Sequence, residues 1–170
     1  MRENIGILWV EDSKSYYEEA KEILSMYASD KGIQIDYKYV ENAISLFEEL
    51  EKQAQGFQRY DICFVDYALS LPNGKTGENI IRELRQKQIS TDILFYSSEN
   101  ISDIRETIQK DLSSFEGVYV ADRDSFEEKS NLLLNKNSKK LYSINNIRGI
   151  LMNETSENDY IMKSYILKEY

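Results

Sequence analysis

The sequence lacks histidine altogether and contains only one cysteine and one proline. Without histidine, Ser-His and Cys-His catalytic pairs, imidazole metal ligands and a phosphohistidine carrier are all excluded. The single cysteine, Cys63, cannot form an internal disulfide, and its place in an apolar run favours a small buried side chain. Any bound metal must therefore be held by oxygen ligands, which indicates Mg²⁺, Ca²⁺ or Mn²⁺.

Long apolar runs and an excess of positive charge are missing as well. No stretch approaches the roughly 18 apolar residues that a membrane span needs, and the first apolar run is too short for a signal-peptide core. The chain has 30 acidic and 21 basic residues, a net charge of −9, which disfavours a nucleic-acid surface. We therefore expect a cytoplasmic globular protein that binds neither nucleic acid nor membranes.

Short apolar runs alternate with stretches of helical spacing along most of the chain. The predicted strands are Ile5–Val10, Ile33–Val40, Tyr60–Val65, Asp92–Tyr96 and Val118–Ala121. The predicted helices are Ser13–Ala28, Asn42–Ala54, Gly77–Gln88, Ser102–Leu112 and Ser125–Leu134, with Ser13 or Ser15 capping the first. Because crossovers of this length force parallel pairing and are right-handed, the pattern predicts a doubly wound α/β sheet with helices on both faces.

The C-terminal stretch is different. A polar segment at 135–138 predicts a break, so we divide the chain into a domain at 1–137 and a C-terminal helical extension at 138–170. Helical spacing resumes at Leu141 and is interrupted by polar residues at 153–159, which fits one long helix or two shorter ones. We expect this extension to pack on the domain or to pair with a partner helix, including that of a second copy in a homodimer.

Acidic and hydroxyl side chains follow three of the predicted strands. Glu11 and Asp12 follow the first strand, Asp66 follows the third and Ser97 follows the fourth. In a doubly wound sheet, ligands bind beyond the carboxyl ends of the strands, so these side chains should converge. Carboxylates packed together repel unless a cation intervenes, and a hard divalent ion such as Mg²⁺ would let one carboxylate attack a phosphoryl group.

The motifs at these strand ends resemble those of bacterial response-regulator receiver domains. They read Leu-Trp-Val-Glu-Asp at 8–12, Phe-Val-Asp-Tyr-Ala-Leu at 64–69 and Leu-Phe-Tyr-Ser-Ser at 94–98, and the resemblance spans about residues 4–135. It implies a flavodoxin-like five-stranded parallel sheet of strand order 2-1-3-4-5. It also implies a signalling domain rather than an enzyme, with self-phosphotransfer and autodephosphorylation as its only chemistry.

The resemblance further implies a role for each matching residue. Asp66 would accept the phosphoryl group, and Mg²⁺ would be held by Glu11, Asp12, Asp66 and the backbone carbonyl of Ala68. The donor would be a sensor histidine kinase or a phosphotransfer protein.

Two more residues would form the switch that the resemblance implies. Ser97 would be its hydroxyl and Tyr119 its aromatic ring, and a downstream protein would read the state of the domain.

This sequence departs from the family's pattern at the end of the fifth strand. The family has a lysine there, but counting from Tyr119 places Asp122 at that position. Arg123 or Lys75 could supply the missing cation, although a guanidinium is not equivalent to a compact ammonium. The departure favours an alternative function, a receiver-like interaction module that signals without phosphate.

Two other phosphate-handling motifs are excluded. Gly74-Lys75-Thr76 resembles the end of a P-loop, but that motif needs glycine where the chain has Leu69. A haloacid-dehalogenase-type phosphatase needs a second acid two residues after its nucleophile, where the chain has Ala68.

Overall fold

The computed structural model describes residues 4–42, 44–46, 48–49, 60–67, 77–86, 89–98, 102, 105–106 and 116–166. The elements in chain order are β1 Ile5–Val10, α1 Lys14–Asp30, β2 Ile35–Val40, β3 Ile62–Asp66, α2 Gly77–Gln86, β4 Asp92–Ser97, β5 Val118–Asp122 and α3 Phe126–Ile166. Residues 44–46, 48–49, 102 and 105–106 are also helical. They fall within the two predicted helices Asn42–Ala54 and Ser102–Leu112, whose remaining residues lie largely outside the described part.

The five strands form one parallel sheet in the order β2-β1-β3-β4-β5. This confirms the predicted doubly wound sheet and its strand order. The three central strands β1, β3 and β4 are buried along their full length, as their continuous apolar runs predict. The register aligns Val10 with Val65 and Asp66 with Tyr96, so β1, β3 and β4 end at one level.

Side chains of the sheet alternate between two core clusters. In β1, Leu8 and Val10 pack with α2 on one face, whereas Ile5, Ile7 and Trp9 pack with α1 and α3 on the other. Trp9 and Phe64 meet edge to face, with ring centroids 4.9 Å apart. Cys63 is buried in the first cluster, as predicted, and burial raises the pKa of its thiol to about 12.

Helix α1 begins directly after the acidic pair because Ser13 caps it. The Ser13 hydroxyl accepts the backbone N–H of Tyr16 at 3.4 Å, which makes Ser13, rather than Ser15, the N-cap. The helix ends at Asp30, and Gly32 follows in a left-handed conformation, at φ 67°, that glycine adopts without strain. The cap places the start of α1 beside the carboxyl end of β1.

The predicted break at 135–138 is wrong. Helix α3 runs without interruption from Phe126 to Ile166, 41 residues, so the C-terminal stretch is one long helix that also includes the fifth predicted helix. The polar residues remain helical because they make tertiary contacts. Asn137 is buried and donates to Asp92 at 2.9 Å, and Lys136 forms an ion pair with the same carboxylate at 3.1 Å. The division at residue 137 stays a prediction.

Among the residues that the structure describes, no helix is both long enough and apolar enough to cross a membrane.

The packing of α3 leads to a test of its role in the core. Leu134 is fully buried, so Leu134→Ala should lower the free energy of unfolding by about 2–5 kcal/mol. Leu132 on the same helix is 61% exposed, and Leu132→Ala should change it by no more than about 0.5 kcal/mol. Urea unfolding followed by circular dichroism measures both. An equal loss of unfolding free energy in the two variants would contradict this packing of α3.

Candidate acidic site at the carboxyl edge of the sheet

Three carboxylates converge where β1 and β3 end. One carboxylate oxygen from each of Glu11, Asp12 and Asp66 lies within 4.8 Å of the other two. Glu11 and Asp66 are buried, whereas Asp12 is exposed. The site is therefore open to solvent on one side and enclosed on the other, and the structure brings together the acidic side chains that the sequence predicts there.

Glu11 is held in place by hydrogen bonds on both of its oxygens. Its Oε1 accepts the backbone N–H of Ser13 at 2.9 Å, and its Oε2 accepts the hydroxyl of Tyr96 at 2.7 Å. The Tyr96 oxygen in turn accepts the indole N–H of Trp9 at 2.8 Å. This buried chain of hydrogen bonds fixes the orientation of the Glu11 carboxylate. Tyr96 was not predicted as a site residue, because on a buried strand it reads as an ordinary core aromatic.

The acidic cluster has the composition of a magnesium site. Burial, partly offset by the bond from Tyr96, raises the pKa of Glu11, and the nearby charge of Asp66 raises it further. A divalent cation bound to these oxygens would remove that cost. Hard carboxylate ligands with one solvent-facing side suit Mg²⁺, which retains several of its waters. Glu11, Asp12 and Asp66 are the residues that would hold it.

Arg123 is a cation that the structure places beside Asp66. Its Nη2 lies 3.5 Å from Asp66 Oδ2, and its guanidinium lies over the ring of Tyr16, 4.4 Å from the centroid. Burial raises the pKa of Tyr16 to about 12, so the ring under the guanidinium stays neutral. Tyr16 therefore supports Arg123 from α1. This contact could not be predicted from the sequence, because Tyr16 lies at an ordinary apolar position in the helical spacing of α1.

Asp122 has a local role at the start of α3. Its Oδ1 accepts the backbone N–H of Ser125 at 2.6 Å, and its own N–H donates to the Ser125 hydroxyl at 3.2 Å. These reciprocal bonds close the turn that leads into the helix. The residue at the family's lysine position thus shapes the turn from which Arg123 reaches Asp66.

Ser97 and Tyr119, the other predicted site residues that the structure describes, lie on β4 and β5. Ser97 is fully buried at the end of β4, in register with Asp122 on β5. Tyr119 is half-buried, and its hydroxyl accepts the ammonium of Lys136 at 2.8 Å, so the proposed switch ring contacts α3. Ala68 and Lys75 lie outside the described residues.

The hydrogen bonds of Tyr96 lead to a stability test. Tyr96→Phe keeps the shape of the ring but leaves the Trp9 N–H and Glu11 Oε2 without that partner in a buried site. We expect the free energy of unfolding to fall by about 1–3 kcal/mol. Tyr142→Phe, at a tyrosine that is 56% exposed, should change it by less than about 0.5 kcal/mol. Denaturation of both variants measures these free energies. An unchanged free energy of unfolding in Tyr96→Phe would contradict the hydrogen bonds described for Tyr96.

The hydrogen bonds between Asp122 and Ser125 lead to a pH test. Hydrogen bonds from Ser125, with help from the charge of Lys129, lower the pKa of Asp122 below its ordinary 3.8. The ionised carboxylate therefore stabilises the fold above that pH, and the contribution is lost as the pH falls through the lowered pKa. Asp122→Asn should melt up to a few degrees below the natural protein at pH 7. The two melting curves should converge only when the pH falls below the lowered pKa, and a difference in melting temperature that stays constant across pH would contradict the hydrogen bonds described for Asp122.

Comparison with solved structures places the fold. A receiver domain protein from Clostridium thermocellum matches over 82% of this chain and 98% of its own, with 13% identity and a TM-score of 0.58. A two-component response regulator from Cytophaga hutchinsonii matches over 79% and 97%, with 15% identity and a TM-score of 0.61. The isolated REC domain of RcsB from Salmonella enterica serovar Typhimurium, in the presence of phosphomimetic BeF3⁻, matches over 78% and 89%, with 12% identity and a TM-score of 0.56.

The likeness lies in structure rather than in sequence. No protein-family model matches the sequence, and no curated protein matches it significantly. The sheet order, the parallel pairing and the solved structures that match nonetheless agree with the resemblance seen in the strand-end motifs. The chain therefore has the fold of response-regulator receiver domains.

Proposed function

We propose that this protein is a receiver domain of a two-component phosphorelay and that Asp66 accepts a phosphoryl group in a Mg²⁺-dependent reaction. The observation that carries the proposal is the convergence of Glu11, Asp12 and Asp66 within 4.8 Å at the carboxyl edge of the sheet. Such a cluster is costly without a cation and is well suited to phosphoryl transfer with one.

The proposed transfer takes place between Asp66 and a phosphohistidine on a donor protein. An Asp66 carboxylate oxygen attacks the phosphorus of a phosphohistidine donor as the P–N bond breaks, and the imidazole leaves with the bonding electrons and takes up a proton. Mg²⁺ would neutralise charge on the transferring oxygens. Glu11 keeps its orientation through Tyr96 and Ser13, so the site needs little rearrangement to hold the ion.

Arg123 takes the place of the family's lysine in this proposal. Before transfer it neutralises Asp66 at 3.5 Å, and after transfer it can donate to the phosphoryl oxygens that Asp66 carries. Tyr16 holds the guanidinium close to that position. The RcsB domain that matches this fold was solved with a phosphate mimic, which supports phosphate binding by a fold of this kind.

Signal output would follow from Ser97 and Tyr119. The buried Ser97 hydroxyl would turn to the new phosphoryl group, and Tyr119 would adjust on the neighbouring strand. Because Lys136 binds the Tyr119 hydroxyl, a movement of that ring changes a contact on α3. A downstream protein would read the altered surface.

A second candidate function is supported by Asp122. A receiver-like interaction module would not need a lysine at the end of β5, and the Asp122 carboxylate accepts a hydrogen bond in the turn that leads into α3. Such a module would keep its acidic cluster without accepting a phosphoryl group.

Intact-mass measurement after incubation with acetyl phosphate and Mg²⁺ separates the two functions. We expect the natural protein to gain one phosphoryl group and Asp66→Asn to gain none. Arg123→Gln should slow the reaction about 10-fold or more, since it removes a charge aimed at the transferring group. Arg148→Gln, at an exposed arginine far along α3, should react like the natural protein.

The controls make a negative result informative. Circular dichroism shows whether each variant is folded, and titration calorimetry shows whether it binds Mg²⁺. A folded natural protein that gains no phosphoryl group from acetyl phosphate or from a phosphorylated histidine donor would contradict the first function and support the second. Labelling that persists in Asp66→Asn would exclude Asp66 as the acceptor.

A further inference from the structure

The ion pair between Arg123 and Asp66 is too weak to fix the position of the arginine. The Arg123 side chain is 39% exposed, and its Nη2 lies 3.5 Å from Asp66 Oδ2, beyond the roughly 2.7–2.9 Å of a strong charged hydrogen bond. Arg123 also lies in the turn between β5 and α3, not within either element. Because solvent screens such a pair and a long side chain has many conformations, a second contact is needed to hold the guanidinium near Asp66.

The ring of Tyr16 is that second contact. The guanidinium carbon of Arg123 lies 4.4 Å from the ring centroid. The ring is itself held in place, since it packs on the rings of Tyr96 and Phe126 with centroids 5.7 and 6.3 Å away. The backbone N–H of Tyr16 donates to the Ser13 hydroxyl that caps α1. Tyr16 therefore presents a fixed aromatic surface to the guanidinium.

This arrangement suits a guanidinium better than an ammonium. A guanidinium is flat, so it can lie on an aromatic face and keep its N–H donors in its own plane for a carboxylate or phosphoryl oxygen. An ammonium is a compact and strongly hydrated point charge that is not held flat on a ring in this way. A lysine in place of Arg123 would therefore lose the contact that positions the arginine.

The position of Arg123 also opposes a divalent cation at the acidic cluster. Asp66, which pairs with Arg123, belongs to the same cluster as Glu11 and Asp12. Two cations beside one carboxylate repel each other, so each lowers the affinity of the cluster for the other. A guanidinium held close to Asp66 is thus well placed for phosphoryl oxygens but reduces the affinity for Mg²⁺.

We propose that Tyr16 is a positioning residue that holds the Arg123 guanidinium beside Asp66, and that its ring makes this position specific for arginine. The inference rests on the proposed phosphoryl transfer to Asp66. Tyr16 acts on the transfer through Arg123, and the part of Tyr16 that acts is the aromatic ring.

Rates of labelling by acetyl phosphate and Mg²⁺, followed by intact mass, test this role. Tyr16→Leu should lower the rate about 3-fold or more, the size expected for a lost cation–π contact. Tyr16→Phe keeps the ring and should retain at least about half of the rate. Tyr142→Leu, at a tyrosine that is 56% exposed on α3, serves as the matched control and should react like the natural protein.

A double-mutant cycle shows whether the effect passes through the guanidinium. Tyr16→Leu should slow the natural protein but should have no further effect in Arg123→Gln or in Arg123→Lys. The lysine variant keeps the charge, so it tests whether the ring acts on a guanidinium in particular.

The affinity for Mg²⁺ separates a lost position from a damaged fold. Titration calorimetry should show that Tyr16→Leu and Arg123→Gln each bind Mg²⁺ about 2-fold or more tightly than the natural protein, because a positive charge has moved away from Asp66. A loosened site would bind Mg²⁺ more weakly. Slower transfer together with tighter Mg²⁺ binding is therefore the signature of the positioning role.

Several results would overturn the inference. These are an unchanged rate in Tyr16→Leu, an equal loss in Tyr16→Phe, a further loss when Tyr16→Leu is added to Arg123→Gln, and weaker Mg²⁺ binding in Tyr16→Leu. A natural protein that binds Mg²⁺ but gains no phosphoryl group would contradict the proposed function alone, and the Mg²⁺ affinities would still decide whether Tyr16 holds Arg123 at Asp66. A natural protein that does not bind Mg²⁺ would overturn both.

Discussion

The burial of Glu11 beside the carboxylates of Asp12 and Asp66 is the constraint around which the surrounding structure is arranged. Parallel pairing of β1 with β3 brings these carboxylates together, and their proximity is unfavourable unless positive charge or donors surround them. Hydrogen bonds from Tyr96 and Ser13, together with the charge of Arg123, partly stabilise the ionised carboxylate of Glu11. The three carboxylates leave this edge of the sheet with oxygen ligands of the kind that a divalent cation would bind.

The two neighbouring residues Asp122 and Arg123 at the end of β5 make different contacts. Asp122 gives its carboxylate to the turn at Ser125, and that turn lies where Arg123 meets Asp66. The guanidinium is wider and flatter than an ammonium and can stack on an aromatic ring. Here it lies over the ring of Tyr16. The negative charge at the lysine position is thus compatible with a positively charged neighbour for Asp66.

The sheet and its acidic edge could be predicted because both depend on local patterns. Continuous apolar runs mark strands buried on both faces, and topology alone brings their ends together. The supporting contacts of Tyr96 and Tyr16 could not be predicted, since each depends on a pairing between distant segments. The same holds for the break expected at 135–138. Asn137 and Lys136 are polar in sequence, but Asp92 from β4 makes them part of a continuous helix.

That continuity joins two surfaces that would otherwise be independent. Helix α3 begins at the site, where Phe126 packs on Tyr96 at 4.7 Å between ring centroids, and Lys136 then binds Tyr119. The described helix has no proline and no interruption up to Ile166. Lys136, which contacts both Tyr119 and Asp92, thus connects the sheet to the same helix that carries the exposed residues 142–163.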